Sequence, residues 1–243
     1  MGPVLAVMRR EFAGYFATPV AWVFIVIFLV LQGTLTFSLG GFFERDQADL
    51  IPFFQFLPWV LVLLVPAITM RLWAEERRLG TIELLLTLPL SQGQAVGGKF
   101  LAAWAFTLVA ILLTFPFVIT VNVLGSPDNG AIAAGYLGSL LVAGAFLAMG
   151  AACSALTKSQ VIAFVIGVAL CFVFAASAFP VVTDFLSHNL PLLATIARKL
   201  SLIDRFQNFV RGVIRLPDVV YLASQIVFWL TVNTLLLEHK KAD

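Results

Sequence analysis

Six stretches of this sequence contain no aspartate, glutamate, lysine or arginine and are long enough to cross a lipid bilayer: 12–43, 50–70, 100–127, 129–157, 159–183 and 219–237. A helix needs about 20 mainly apolar residues to span the hydrocarbon. Six such stretches in 243 residues leave little from which to build a water-soluble surface. Composition agrees: 61% of residues are apolar and 12% charged, against about 45–50% and about 25% in a soluble domain. Mean hydropathy is +1.02. Lipid offers the backbone no hydrogen bonds, so each span must satisfy its own. The expected fold class is an all-α membrane protein of six transmembrane helices in a single domain, 1–243.

Local signals narrow the stretches to spans at about 19–41, 54–73, 100–123, 131–156, 160–182 and 219–237. Thr18-Pro19 sets a capping residue before a proline at the first helical position. Trp22, Trp73 and Trp104 fall near span ends, where interfacial aromatics sit. Pro58, Pro66 and Pro116 lie inside spans and are expected to kink them. The fourth span is rich in small residues, including Ala131, Gly135, Ser139, Gly144 and Gly150. In the fifth, Ala163, Gly167 and Cys171 recur every four residues. Such stripes let helix backbones approach where lipid supplies no hydrophobic drive for pairing. Cys153 and Cys171 lie in apolar runs and read as small core residues, with neither disulfide nor metal-ligand spacing. Residues 1–10 lack a short apolar core followed by a cleavage site, so they are not read as a signal peptide.

Charge indicates the orientation. A net charge of +2, with no basic patch interleaved with stacking aromatics, gives no footprint for nucleic acid. Six spans put both termini on one side. With the termini inside, the inner segments hold Arg9, Arg10, Arg71, Arg77, Arg78, Lys99, Lys158, Lys240 and Lys241. The outer segments hold Arg45, Arg198, Lys199, Arg205, Arg211 and Arg215. The bias toward the inner side places both termini in the cytoplasm.

Two connections are too long for turns. The inner one, 71–99, begins with Glu75, Glu76, Arg77 and Arg78, passes Gly80-Thr81, and continues as an apolar run interrupted by Glu83 and Thr87. Pro89 stops it, and Ser91 is placed to cap the next helix. This reads as two short interfacial helices; the plain alternative is a solvated charged loop, in which Leu84, Leu85 and Leu86 have no role. The outer connection, 184–218, has an uncharged stretch at 185–197 that is too short to span and is interrupted by Pro191. Leu193, Ile196, Ala197 and Leu200 keep helical spacing, as do Phe206, Phe209, Val210 and Val213. Amphipathic or re-entrant helices are expected there, or else a loop packed on the span ends.

Gly93 to Lys99 fits a phosphate loop as far as the lysine, but Phe100 stands where a hydroxyl must hold Mg²⁺, and no strand precedes it. Lys99 reads instead as a snorkelling anchor for the third span. The six stretches hold no carboxylate or basic group, which proton-driven carriers and voltage sensors need at depth. His188 and His239 lie outside the spans and read as solvated. No catalytic triad or metal motif occurs. Gln32, Thr34, Thr36 and Ser38 in the first span, with Gln225 and Asn233 in the sixth, are the notable polar groups within spans. Helix-to-helix hydrogen bonds are their commoner role, and lining a path is the other.

The segment PFFQFLPWVLVLLVPAITMRLWAEERRLGTIELLLTLPLSQGQAVGGK, ending at Lys99, resembles the second span and following loop of ABC type-2 permeases, most closely the gliding-motility group. The carrying features are Met70-Arg71, Glu75 to Arg78, Gly80-Thr81 with Glu83, Leu84 and Leu85, and Pro89 with Ser91. FQNFVRGVIRLPDVVYLAS, ending at Ser224, resembles the segment leading into the last span of that family. The resemblance implies a coupling helix in the 71–99 loop, with Arg71, Glu75, Glu76, Arg77, Arg78, Gly80, Thr81 and Glu83 contacting a separate ABC ATP-binding subunit. ATP and Mg²⁺ would then bind in that partner, leaving this chain without a cofactor or enzymatic activity of its own. It further implies a homodimer with spans one, two and five and the outer region near its axis. Gln32, Thr36, Ala163 and Gly167 are dimer or path candidates. It also implies a bacterial inner-membrane location and a further membrane subunit with a periplasmic domain. The expected function is a permease subunit for export or for mechanical work on a periplasmic partner. The alternatives are a membrane scaffold that transports nothing and, third, a stand-alone carrier.

Overall fold

The computed structural model describes residues 2–81, 91–189 and 191–239, and every regular element among them is a helix. In chain order these are α1 (Pro3–Phe16), α2 (Pro19–Thr34), α3 (Ile51–Thr69), α4 (Arg71–Leu79), α5 (Gln92–Leu112) and α6 (Phe115–Leu124). There follow α7 (Asn129–Leu156), α8 (Gln160–Ala176), α9 (Pro180–Asn189), α10 (Pro191–Leu200), α11 (Leu202–Val210) and α12 (Leu216–His239). A π-turn, Leu35–Leu39, extends α2. Five segments are long and apolar enough to cross a membrane: Pro19–Leu39, Ile51–Leu79, Gln92–Leu124, Asn129–Leu156 and Leu216–Glu238. The fifth expected span is shorter than the 160–182 read from sequence. Its apolar helix, Gln160–Ala176, has 17 residues, at the lower limit for a spanning helix.

α7 is the axis of the bundle. It packs against α3, α4, α5, α8, α11 and α12 and is almost wholly enclosed. Its glycines explain how so many neighbours fit. A Cβ at Gly135 would sit 2.6 Å from the Phe54 ring, one at Gly138 2.7 Å from Phe209, and one at Gly144 2.8 Å from Ile226; at Gly150 it would overlap the Thr69 hydroxyl. Without hydrophobic drive in lipid, contact area gained by close approach is what holds helices together. The outward faces are apolar instead: Val23, Val26 and Val30 on α2, Val161, Val165 and Val173 on α8, and Val220, Val227 and Phe228 on α12 are all exposed. Such a surface requires lipid, or another helix within the membrane, against it.

Several local expectations hold. Ser91 caps α5 in a full capping box: its hydroxyl accepts from Gln94 N at 3.2 Å, and Gln94 Oε1 accepts from Ser91 N at 3.1 Å. Asp128 caps α7 through Gly130 N and Ala131 N. Thr18 is the N-cap residue of α2 with Pro19 in the first turn, but its hydroxyl donates backward to Tyr15 O at 3.0 Å rather than capping. Pro58 and Pro66 lie within the unbroken α3. Pro116 does more than kink: the helix stops at Leu112 and restarts at Phe115, with Pro116 in the new first turn. Trp22 is exposed as an interfacial ring should be, whereas Trp73 is fully buried and Trp104 donates to Leu140 O at 2.9 Å within the bundle.

At the end of the bundle away from α4, the short helices α9, α10 and α11 lie between α8 and α12 in sequence. Phe206, Phe209 and Val210 bury one face of α11 against α7. Gly212, at φ +77°, turns the chain beside Ala131. Asp218, 1% exposed, closes the clamp by accepting from Arg205 Nη1 at 2.9 Å and Asn208 Nδ2 at 2.7 Å. Arg205 also lies 5.4 Å from the centre of the Tyr221 ring. On α10, Leu193, Ile196 and Leu200 stay exposed, and so does Val213 after α11.

If close approach to α7 holds the bundle, adding bulk at its glycines must loosen it. Gly150→Leu is expected to cost about 1–3 kcal/mol through overpacking and to lower the unfolding midpoint in detergent. Gly93→Ala, where nothing lies within 4 Å, is expected to stay within about 0.5 kcal/mol of the wild type.

Candidate functional site

α4 is separated from α3 by Met70 alone and ends at Gly80, whose φ of +70° gives the left-handed cap that glycine adopts without strain. A hydroxyl from another helix satisfies its first turn. Ser154 Oγ on α7 accepts from Trp73 N and Ala74 N at 3.1 Å each and donates to Met70 O at 2.9 Å. Leu72 and Trp73 pack with Ala95, Val96, Ala151, Ala155 and Leu237, and Ala74 beside them is buried. Arg77 Nη1 donates to Ala155 O at 2.6 Å, tying the last turn to the end of α7. Arg71 and Glu75 pair across one turn at 3.1 Å. Arg78, Leu79, Gly80 and Thr81 remain exposed at the tip.

Beneath α4 lies Lys99. The snorkelling expected from sequence does not occur: the residue is 3% exposed. Its ammonium sits 2.8 Å from Glu76 Oε1, 3.3 Å from Glu11 Oε1 and 5.2 Å from the centre of the Trp73 ring. The physical reason is the covering of α5 by α1 and α4. Little of the lysine meets solvent there, and a buried ammonium is retained only when paired. Glu11 is also held by Arg10 at 2.7 Å from the exposed side. A cleft of about 270 Å³ opens beside this node, lined by Glu11, Tyr15, Thr18, Arg71, Glu75, Glu76 and Lys99 among others. Burial pushes the Glu11 carboxyl up, but Lys99 and Arg10 outweigh it, and its pKa lies below the usual 4.5.

The structure therefore brings Arg71, Glu75, Glu76, Arg77, Arg78, Gly80 and Thr81 together on one short helix and its cap. Their roles differ: Glu76 and Arg77 turn inward to partners, and Arg78 does not. Glu83 and the apolar run around it lie outside the described residues. The four dimer or path candidates are elsewhere. Gln32 is fully buried and donates to Phe53 O at 2.7 Å, and Thr36 donates to Gln32 O at 2.7 Å. Ala163 and Gly167 face inward, Gly167 against Pro66 and Gly150 of the same chain. On α12, Gln225 Oε1, Trp229 Nε1 and both side-chain polar atoms of Asn233 are buried without hydrogen-bond partners among the described residues. The side chains of His188 and His239 lie outside the described ones.

Glu11, Trp73, Lys99 and Ser154 were missed from the sequence as members of this site. The Lys99 node joins residues 11, 76 and 99, and no local spacing reports such distances. One signal was present: the pair Gly97-Gly98 immediately before Lys99. A Cβ at Gly98 would lie 2.7 Å from Val7, so the pair marks where α1 comes close.

Apolar helices long enough to span, with ionic groups gathered at the bundle ends, define a multi-pass helical membrane protein. Residues 11–237 match the model of the ABC-2 family transporter proteins, and the chain belongs to that family. It is thus a membrane permease subunit of an ABC transporter, a class that works with an ATP-binding subunit. No curated protein matches the sequence.

The lowered Glu11 pKa has a pH signature. A depressed carboxylate stabilises the fold above its unfolded pKa, and that contribution is lost as pH falls through the lowered value. Amide exchange in α1, corrected for its intrinsic pH dependence, is expected to accelerate only below the ordinary carboxylate range, and Glu11→Gln is expected to remove the step. Separately, Ser154→Ala leaves two buried N–H groups of α4 without their acceptor. A loss on the order of 1–3 kcal/mol is expected, read from denaturant unfolding in detergent.

Proposed function

We propose that this chain couples ATP hydrolysis by a separate ATP-binding subunit to export, or to mechanical work on a periplasmic partner, with α4 as the coupling helix. The observation that carries this reading is the contrast within α4. Three side chains are buried and the first turn is capped from α7, yet the tip at Arg78, Leu79, Gly80 and Thr81 is exposed, with Leu79 62% exposed. An apolar side chain beside a cation on a braced helix end suits a docking partner better than it suits water. The brace also means that a push on the tip is carried into α3, α5 and α7 and is not absorbed by a loose loop.

In this reading α8 is the fifth of six spans, and α9 to α11 lie at the outer surface or re-enter it. Both termini and α4 then face the cytoplasm of a bacterial cell, as the lysine and arginine bias favours. Two copies form the working unit, and the resemblance to gliding-motility permeases suggests a further membrane subunit with a periplasmic domain. With Ala163 and Gly167 buried inside the chain, the dimer contact in this reading falls on the exposed face of α8, at Val161, Val165 and Phe172. ATP and Mg²⁺ belong to the partner subunit, and no cofactor is assigned to this chain.

Affinity purification in mild detergent, with mass spectrometry of what co-purifies, tests the partner directly. An ATP-binding subunit is expected, and its repeated absence would favour a scaffold or carrier. Residues for the mutational test follow from the geometry: Glu76 is needed inside the chain, whereas Arg78 is exposed. Arg78→Glu is expected to leave expression and folding intact. Placing a wrong charge at a docking surface costs on the order of 2–5 kcal/mol, so affinity for the ATPase should fall at least about 30-fold at 1.4 kcal/mol per tenfold, and its recovery should drop. Unchanged recovery would remove α4 from the interface.

A further inference from the structure

We propose that α1 is a second arm of the coupling element, tied to α4 by Glu11 through Lys99. On this view a displacement of α4 moves α1 and α5 together. The inference rests on the coupling role of α4 and goes beyond it, because nothing in a loop-centred reading gives the N-terminal helix a part in transmission.

The argument begins with the backbone. α4 joins α3 through Met70 alone, so by chain connection a push on α4 is felt first by α3. The ionic node adds two further routes. Lys99 lies within α5, and its ammonium pairs with Glu76 of α4 at 2.8 Å and Glu11 of α1 at 3.3 Å. An ammonium has three donors and no acceptors. Here one side meets α4, another meets α1, and the Trp73 ring lies 5.2 Å away. Lys99 is only 3% exposed, so its ammonium depends chiefly on these two carboxylates, although a cleft opens beside them. Moving α4 away without α1 would leave a buried cation between separating partners, which is strongly unfavourable.

The contact between α1 and α5 is shaped to make this tie possible. Gly97 and Gly98 precede Lys99, and a Cβ at Gly98 would lie 2.7 Å from Val7 and 3.0 Å from Val4 O. Only glycine lets the backbone of α1 approach this closely. Val7 is buried in the contact. Glu11 lies one helical turn beyond Val7 on the same face, which delivers its carboxylate to the ammonium. The Gly-Gly-Lys of the failed phosphate-loop pattern thereby has a different use: the glycines admit α1 and the lysine binds it. Glu11 is a positioning residue, acting on α4 through Lys99.

The test uses the full permease with its co-purified ATP-binding subunit in nanodiscs. Spin labels at Leu5 and Leu79, both exposed, report the distance between α1 and α4. Glu11→Gln keeps the Lys99–Glu76 pair but removes one charge of the tie. It is expected to broaden the label distance and to reduce permease-dependent stimulation of ATP turnover, per ATPase recovered, several-fold. Glu11→Asp keeps the carboxylate and is expected to restore most of both signals. An unbroadened distance in Glu11→Gln would overturn the tie. A broadened distance with full stimulation would overturn the role of α1 in transmission. Equal losses in the Gln and Asp variants would reduce Glu11 to packing and also overturn the proposal. If the wild-type chain recovers no ATPase, the coupling role of α4 fails and the proposal with it, while the label distances still decide whether α1 and α4 are tied.

Discussion

Close approach of backbones along α7 is the constraint from which the rest of the structure follows. In water, burying apolar surface would suffice to assemble helices. In lipid the surroundings are as apolar as leucine, and a helix pair gains only what fits better than lipid does. The glycines of α7 remove the Cβ atoms that would hold Phe54, Phe209, Ile226 and Thr69 away. Each neighbour therefore fills a notch and does not slide over a smooth cylinder, and register along α7 is set by size. Gly150 illustrates the consequence, because it receives Thr69 from α3 and lies beside Gly167 of α8. Three helices meet there with almost no side chain between their backbones.

Charge plays the complementary role at the ends. Where the bundle meets water, helix termini need partners and polar groups can be tolerated. Among the described residues two buried ionic clusters occur there: Lys99 with Glu11 and Glu76 at one end, and Asp218 with Arg205 and Asn208 at the other. Each joins a short helix to a long one. Buried ion pairs contribute little net stability, because desolvation offsets attraction, yet breaking one is costly. Such clusters do not hold the bundle together so much as fix where α4 and α11 sit on it. Ser154 acts in the same sense with neutral chemistry, fixing the first turn of α4 against α7.

What could be read from the sequence was local. Uncharged stretches gave most of the spans, Ser91 gave the start of α5, and the small stripes gave the close packing, because each depends on residues near one another in the chain. Where expectation and structure part, the cause is tertiary. Lys99 follows Gly98 at the edge of an uncharged run, which suggested a side chain reaching for water; α1 and α4 cover it and supply carboxylates from distant sequence. Trp73 looked interfacial until α4 folded it inward. Ala163 and Gly167 were recognisable as a helix-packing face, but a stripe does not say whether its partner is the same chain or another copy. The partner is α3 and α7 of the same chain. Glu76 and Arg78 are two residues apart with opposite charges, and only the orientation of α4 on α7 separates the internal one from the exposed one.

The distribution of charge bears directly on how such a protein can work. A carrier driven by protons or ions keeps titratable groups at depth, where a change of charge alters the balance between two arrangements. Here the long uncharged runs contain none, so the midsection has no charge switch by which a local reaction could drive it. In the proposed function, energy enters at an end and travels as displacement. Close-packed notches suit this, because interfaces packed at interior density are bistable and not continuously deformable. A shift of α4 cannot be taken up by compressing the contact at Gly150 and Thr69; the helices must move together or change register. The membership of this chain in the ABC-2 family agrees with the absence of charge from its long apolar runs. In the proposed coupling the bundle is moved from outside, and its ionic contacts sit where that movement would begin.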